Sequence, residues 1–112
     1  MVFVEATLFS RLLPSYLTDA EYRELQNHLI RFPDFGAIIR GSGGVRKVRW
    51  SIGSKGKSGG VRVIYYWVSA DDQIFFLTLY GKNEKENLDS ADLKRIARML
   101  EEMEHDGSRH RR

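Results

Sequence analysis

The sequence predicts an α+β fold, in which one small antiparallel β-sheet carries helices packed on one of its faces. The predicted elements run in the order strand, helical segment, three strands and helix, and turn residues rather than helices join the three central strands. A sheet of this kind buries one face, and the helices are the elements available to cover it. With 112 residues, the chain is long enough for one domain that folds without a metal ion or a disulfide.

The first half of the chain supplies one strand and the best-defined helix. Val2–Glu5 is predicted to form a short strand, and residues 7–13 a short helix. The second helix follows Thr18, an N-cap residue whose capping-box partner, Glu21, stands three positions later. This helix should end before Pro33, because proline disfavours helical geometry in the residue that precedes it.

The second half supplies three strands and the last helix. The strands are read from the segments VRKVRWSI, VRVIYYWV and IFFLTLYG, and the helix follows Asp89, a good N-cap residue. Residues 1–106 are predicted to form a single domain, and residues 107–112 a disordered basic tail. Strict alternation on the last two strands predicts a core face formed by Val63, Tyr65, Trp67, Phe75, Leu77 and Leu79. The open face would then carry Arg62, Ile64, Tyr66, Ile74, Phe76, Thr78 and Tyr80.

Positive charge is concentrated in the middle third of the chain. No acidic residue stands between Asp34 and Asp71, and the same window contains seven cations: Arg40, Arg46, Lys47, Arg49, Lys55, Lys57 and Arg62. The formal net charge of the whole chain is only +3, so the excess is local. A solvated strand face could carry these cations, but a segregated positive field favours a polyanionic, phosphate-containing partner.

The chain lacks the residues that several functional classes require. The chain has no cysteine, which excludes disulfides and cysteine zinc sites, and its three histidines are not placed to form a metal site. No P-loop motif is present, and the glycines at 41, 43 and 44 precede a strand rather than a helix. No apolar run reaches the length of a membrane span, and no signal peptide is recognised. We therefore expect a cytoplasmic protein without metal or cofactor.

Two polar clusters could carry chemistry. Lys55 and Lys57 stand among glycines and serines just before Arg62, so backbone amides and cations could approach one anion together. Lys82 and Asn83 follow Tyr80 at the end of the last strand, within reach of the same site if the neighbouring strands pair. An ordinary solubilising hairpin loop and an ordinary strand-to-helix connection are the alternatives. On the first central strand, Lys47 and Arg49 alternate with Arg46.

Three segments resemble a known family. GSGGVRKVRW, SKGKSGGVRVIYYW and LTLYGKNEKENLDSADLKRI are similar to the HigB-like branch of the RelE/ParE toxin superfamily, and the resemblance covers nearly the whole chain. It implies a small twisted sheet with helices on one side and a basic concave surface on the other. It also implies the toxin of a type II toxin–antitoxin pair, an mRNA endonuclease that acts in the ribosomal A site.

The resemblance assigns the site. Its catalytic cations fall on Lys55, Lys57, Arg62 and Lys82, and Tyr80, Arg46, Lys47, Arg49 and Asn83 are predicted to bind substrate. Attack of a ribose 2′-hydroxyl on the adjacent phosphate needs no metal, but the phosphorane charge must be stabilised and protons must be moved. Some RelE toxins use a tyrosine near the C-terminus as well. Here Asp89 stands near the expected place, so the general base is unassigned.

The resemblance also implies partners. These are a cognate antitoxin with a helix-turn-helix domain, operator DNA reached only through that antitoxin, the ribosome and mRNA. Two alternatives stay open at this point. A ParE-like toxin would have the same fold but inhibit DNA gyrase without cutting RNA, and a non-catalytic module would bind RNA or ribosomes without cleavage.

Overall fold

The computed structural model describes residues 1–51, 60–85 and 87–110, and it describes side chains as far as residue 105. A short 3₁₀ turn, Leu13–Ser15, follows the first helix, and another, Ser69–Asp71, joins the two longest strands. The helices and strands are, in chain order, β1 (Val2–Glu5), α1 (Thr7–Leu12), α2 (Asp19–Arg31), β2 (Ala37–Ile38), β3 (Arg46–Trp50), β4 (Val61–Val68), β5 (Gln73–Gly81) and α3 (Ser90–His110).

The five strands form one sheet in the order β1-β5-β4-β3-β2. The pairs β2–β3, β3–β4 and β4–β5 are antiparallel, as predicted. Strand β1 is the exception, since it runs parallel to β5 with Val2 opposite Gln73. A parallel pair needs a long crossover connection, and the whole chain between β1 and β5 supplies one. The α+β class with a small twisted sheet is confirmed, with one parallel strand at its edge.

Both predicted helix caps are present. The Thr18 hydroxyl oxygen accepts a hydrogen bond from the Glu21 amide at 3.1 Å, and the Glu21 carboxylate accepts one from the Thr18 amide at 2.8 Å. Asp89 caps α3 in the same reciprocal way: its carboxylate accepts from the Asp92 amide at 2.8 Å, and Asp92 accepts from the Asp89 amide at 3.1 Å. Helix α3 is described as far as His110, beyond the predicted end at residue 106.

Helices pack on both faces of the sheet, whereas the prediction placed them on one. Helices α1 and α2 bury Phe9, Leu25 and Leu29 against the face formed by Val63 and Tyr65. Helix α3 buries Ile96 against the opposite face, whose core is Val45, Ile64, Phe75, Leu77 and Tyr80. None of the helices within the described residues has an apolar stretch long enough to cross a membrane.

A β-bulge changes the alternation on β5. Ile64 pairs with Thr78 and Tyr65 pairs with Phe76, so Leu77 is an extra residue on β5. The strict alternation predicted for this strand therefore fails before the bulge. Leu79 shares a core with Val63 and Tyr65, as predicted, but Phe75 and Leu77 lie in the core under α3, while Ile74 and Phe76 lie in the core under α1 and α2. Beyond the bulge, Tyr80 lies opposite Arg62.

Candidate functional site

One row of side chains crosses three strands on the α3 side of the sheet. Arg49 on β3 lies opposite Arg62 on β4, which in turn lies opposite Tyr80 on β5. Lys47 precedes Arg49 by two residues and therefore points to the same face, where it lies opposite Ile64. We call these four residues, Lys47, Arg49, Arg62 and Tyr80, the cationic row.

Arg62 is buried without a counter-ion among the described residues. Its side chain is only 8 % exposed, and none of the ion pairs within residues 1–51, 60–85 and 87–110 includes it. A buried charge is costly unless it is paired or hydrogen-bonded. A guanidinium held in this way interacts strongly with any anion that reaches it, and its planar fork suits the oxygens of a phosphate.

Tyr80 is the second buried polar group of the row. It is 7 % exposed, and its hydroxyl makes no hydrogen bond with any described residue. Burial raises the pKa of Tyr80 above its ordinary value of 10.0, an effect that the nearby charges of Arg62 and Lys85 oppose and that of Asp92 reinforces. The phenol is therefore protonated near neutral pH, and it can donate or accept a hydrogen bond but is not a ready general base.

Lys85 is a cation that was not among the site residues predicted from the sequence. Its ammonium group forms a 2.9 Å ion pair with Asp92 and is close enough to influence the pKa of Tyr80. The hydrogen bond between the two partners raises the pKa of Lys85 and lowers that of Asp92. Asp92 also accepts from the Asp89 amide, so the capping of α3 positions Lys85 beside the row. Its place in the polar segment after β5 was the one available sequence signal.

Lys82 and Asn83 lie on an anchored turn that follows β5. Both are exposed. The Gly81 amide donates to the Glu84 carboxylate at 2.6 Å, and the Glu84 amide donates to the Gly81 carbonyl at 3.0 Å. The Tyr16 hydroxyl also donates to Glu84, which raises the pKa of Tyr16 to about 12 and lowers that of Glu84. The turn that carries Lys82 is thus hydrogen-bonded to Tyr16, which follows the 3₁₀ turn after α1.

A cavity of about 210 Å³ lies beside Tyr80. Leu8, Leu12 and Tyr16 line it from the α1 side, while Lys85 and Asp92 line it from the side of α3. Two residues after Lys85, Asn87 accepts a hydrogen bond from the Lys47 ammonium group at 3.3 Å. The segment between β5 and α3 therefore borders the cationic row at both Tyr80 and Lys47.

Arg46, which was predicted to bind substrate, lies apart from the row. It stands opposite Tyr65, on the face that α1 and α2 cover, and its guanidinium donates to the carbonyls of Asp34 at 3.1 Å and Gly36 at 2.7 Å. These bonds join β3 to the chain that leads into β2. The predicted catalytic residues Lys55 and Lys57 lie outside the described residues.

The row and its surroundings contain side chains of the types that bind phosphate. Arg62 and Arg49 contribute guanidinium groups, Lys47 and Lys85 contribute ammonium groups, and the neutral Tyr80 hydroxyl is buried on the strand next to Arg62. No cluster of His, Asp and Glu side chains suited to a metal ion occurs within the described part of the chain.

Two comparisons with known proteins bear on this site. A family model described as "RelE toxin of RelE / RelB toxin-antitoxin system" matches residues 36–108, which is more than half of the chain and includes the whole cationic row. Among solved structures, the chain is similar to the E. coli toxin RelE, as a mutant in the free state. The TM-score is 0.50 at 15 % sequence identity, over 76 % of this chain and 86 % of that one. At this identity, the likeness to the solved structure concerns the fold.

Proposed function

This chain belongs to the RelE toxin family of toxin–antitoxin systems, and we propose on that premise that it is a ribosome-dependent mRNA endonuclease. The observation that carries the proposal is Arg62: a buried guanidinium without a described counter-ion, in one row with Arg49 and Tyr80. Such a group has a physical use if an anion binds beside it during the reaction.

The proposed reaction is attack of a ribose 2′-oxygen on the neighbouring phosphorus. A 2′-oxygen–phosphorus bond forms, the bond from phosphorus to the leaving 5′-oxygen breaks, and a 2′,3′-cyclic phosphate results. The 2′-hydroxyl loses its proton to a base, and an acid protonates the 5′-oxygen, so protons and charges balance. The extra negative charge of the phosphorane is where a fixed cation lowers the barrier, because it interacts more strongly with that state than with the ground state.

We assign roles within this reaction as follows. Arg62 and Lys57 stabilise the phosphorane, Lys55 or Lys82 transfers a proton, and Tyr80 positions the substrate as a neutral hydroxyl. Lys47, Arg49 and Asn83 bind flanking parts of the RNA. Lys85 joins this set because of its place beside Tyr80. We propose no part in the reaction for Arg46, because its Nη1 donates to two backbone carbonyls at the other face of the sheet.

We also propose that the chain is a cytoplasmic toxin of the HigB-like branch. Its antitoxin would carry a helix-turn-helix domain and bring the complex to operator DNA. The ribosome would bend the mRNA so that the 2′-oxygen and phosphorus are in line, which a small cationic site does not achieve on free RNA. The sequence motifs support assignment to this branch, and membership of the RelE toxin family supports the existence of an antitoxin partner.

The test is expression of the chain alone, with primer extension on a translated message and on the same RNA without ribosomes. We expect cuts only in the translated message, and their loss in Arg62→Ala. Arrested growth with intact mRNA and damaged DNA would instead identify a gyrase inhibitor. Ribosome binding without cuts would identify a non-catalytic module, and metal-dependent cutting of naked RNA would contradict the mechanism.

A further inference from the structure

Four large apolar side chains lie exposed within nine residues of one another. Ile30, Phe32, Phe35 and Ile38 are each between 48 and 57 % exposed. Contacts and strand pairing place Phe32, Phe35 and Ile38 on one side of the molecule, and we call these three residues the edge patch. The other large hydrophobic of comparable exposure in the described part of the chain is Val2, at the opposite edge of the sheet. Single exposed apolar residues are ordinary, whereas a group of them marks a surface that binds something.

The edge patch belongs to one side of the molecule. The His28 ring on α2 contacts Phe32 at a centroid distance of 5.3 Å and Phe35 at 4.4 Å. Ile38 lies opposite Arg46, so its side chain points to the face that α2 covers. The cationic row occupies the other face of the sheet. A partner seated on the edge patch would therefore leave Arg62 and Tyr80 uncovered.

The patch adjoins an open strand edge. β2 is the outermost strand on this side, and the Ile39 amide donates to the Val45 carbonyl at 2.8 Å. In an antiparallel ladder, hydrogen-bonded pairs alternate with pairs that are not bonded, so the amide and carbonyl of Ile38 point away from β3. No described strand pairs with that edge. An extended segment of another chain could add a strand there.

The charges around the edge patch indicate what kind of segment could bind there. Arg31 lies beside the patch with its guanidinium carbon 5.7 Å from the Phe32 ring centre, and Arg40 follows Ile38 by two residues and is exposed. Between residues 30 and 40, the sequence contains a single acid, Asp34. The complement is an extended segment with apolar side chains and flanking carboxylates. A second copy of this chain fits poorly, because a two-fold contact would bring its arginines against the same arginines.

We infer that the edge patch and β2 are the docking site for an acidic, amphipathic segment of the antitoxin, which adds a strand at Ile38. The inference rests on the toxin–antitoxin part of the proposed function and not on the nuclease. An antitoxin segment bound there would leave the cationic row uncovered, because the row lies on the other face of the sheet.

The experiment compares Ile38→Asp with Val2→Asp, a matched change at the opposite edge of the sheet. Binding of the full-length protein encoded beside the toxin gene is measured by calorimetry, with all toxins carrying Arg62→Ala so that they can be expressed. We expect Ile38→Asp to weaken binding by about 30-fold or more, as loss of a central interface residue does, and Val2→Asp to have little effect. Amide exchange on the complex without either Asp substitution should show protection at Ile38.

Equal affinities for the two variants, or no added protection at Ile38 in that complex, would overturn the inference. A toxin dimer that Ile38→Asp dissociates in the absence of antitoxin would overturn it as well, in favour of a second copy as the occupant. Circular dichroism establishes whether each variant folds. If Ile38→Asp does not fold, the amide-exchange measurement on the complex without either Asp substitution tests the docking site. Cleavage of translated mRNA by the Ile38→Asp variant with Arg62 intact is scored separately. Failure of the nuclease proposal is thus distinct from failure of the docking site.

Discussion

Replacement of Arg62 gives opposite expectations for activity and for stability, and this makes it the sharpest test of the site. At an effective dielectric of about 20, a unit negative charge about 4 Å from a guanidinium interacts with it by about 4 kcal/mol. Removal of a single oxyanion donor in other enzymes costs about 3 kcal/mol. Because Arg62 is 8 % exposed and therefore weakly screened by solvent, we expect a loss of this size. Arg62→Ala should thus cut translated mRNA about 100-fold more slowly.

Stability should move the other way. Arg62→Met keeps most of the aliphatic stem but removes a buried charge that has no described counter-ion. Since an uncompensated buried charge destabilises a folded protein, the free energy of unfolding should stay the same or rise by about 1 kcal/mol. Arg62→Lys keeps the charge but loses the planar fork, so its cleavage rate should fall by about 10-fold, between those of the parent and the alanine variant.

The assays are single-turnover cleavage of mRNA on stalled ribosomes and thermal unfolding of the purified variants. A folded Arg62→Ala variant that cuts as fast as the parent would refute the role of Arg62. Val63→Ala, a truncation in the neighbouring core, serves as the stability control. If Arg62→Met lowers the unfolding temperature as much as Val63→Ala does, the guanidinium is held for structural reasons and the argument from its burial fails.

Three further outcomes are expected. Tyr80→Phe should reduce cleavage without loss of stability, because the buried hydroxyl has no described partner; a fall in unfolding temperature instead would indicate a structural hydroxyl. Arg46→Ala should lower the free energy of unfolding by about 1–3 kcal/mol, because two charged hydrogen bonds to carbonyls are lost. Arg49→Ala should instead impair cleavage and leave the free energy of unfolding nearly unchanged. The reverse pattern would contradict the assignment of the two faces. The pKa of Glu84 is lowered from 4.5 by the hydrogen bond from Tyr16, so the stability that it contributes is complete above that value and is lost as pH falls through the lower folded pKa. Tyr16→Phe should therefore flatten the acid side of the stability profile measured by chemical unfolding, and an unchanged profile would count against the bond.

The features that depend on neighbouring residues were predictable from the sequence. Both helix caps, at Thr18 and Asp89, were predictable, because their hydrogen bonds join residues three positions apart and form wherever the helix forms. The positively charged segment between Asp34 and Asp71 and the three central strands were also predictable, because both are patterns of residues close together in the sequence. Alternation along β4 and the end of β5 also predicted that Arg62 and Tyr80 share a face, as they do.

Which surfaces of the chain meet depends on long-range contacts that the sequence pattern does not reveal. The direction of β1 depends on where the crossover returns the chain, and the place of α3 depends on an apolar face formed by residues distant in sequence. The bulge at Leu77 shifts the phase of β5 by one residue, and no residue type in that strand indicates it. The burial of Arg62, and the approach of Lys85 to Tyr80 through the capping of α3, also arise from such long-range contacts. A pattern of residue types specifies local hydrogen bonds and the side on which a residue points, but the energy of a buried charge depends on what the rest of the chain places around it.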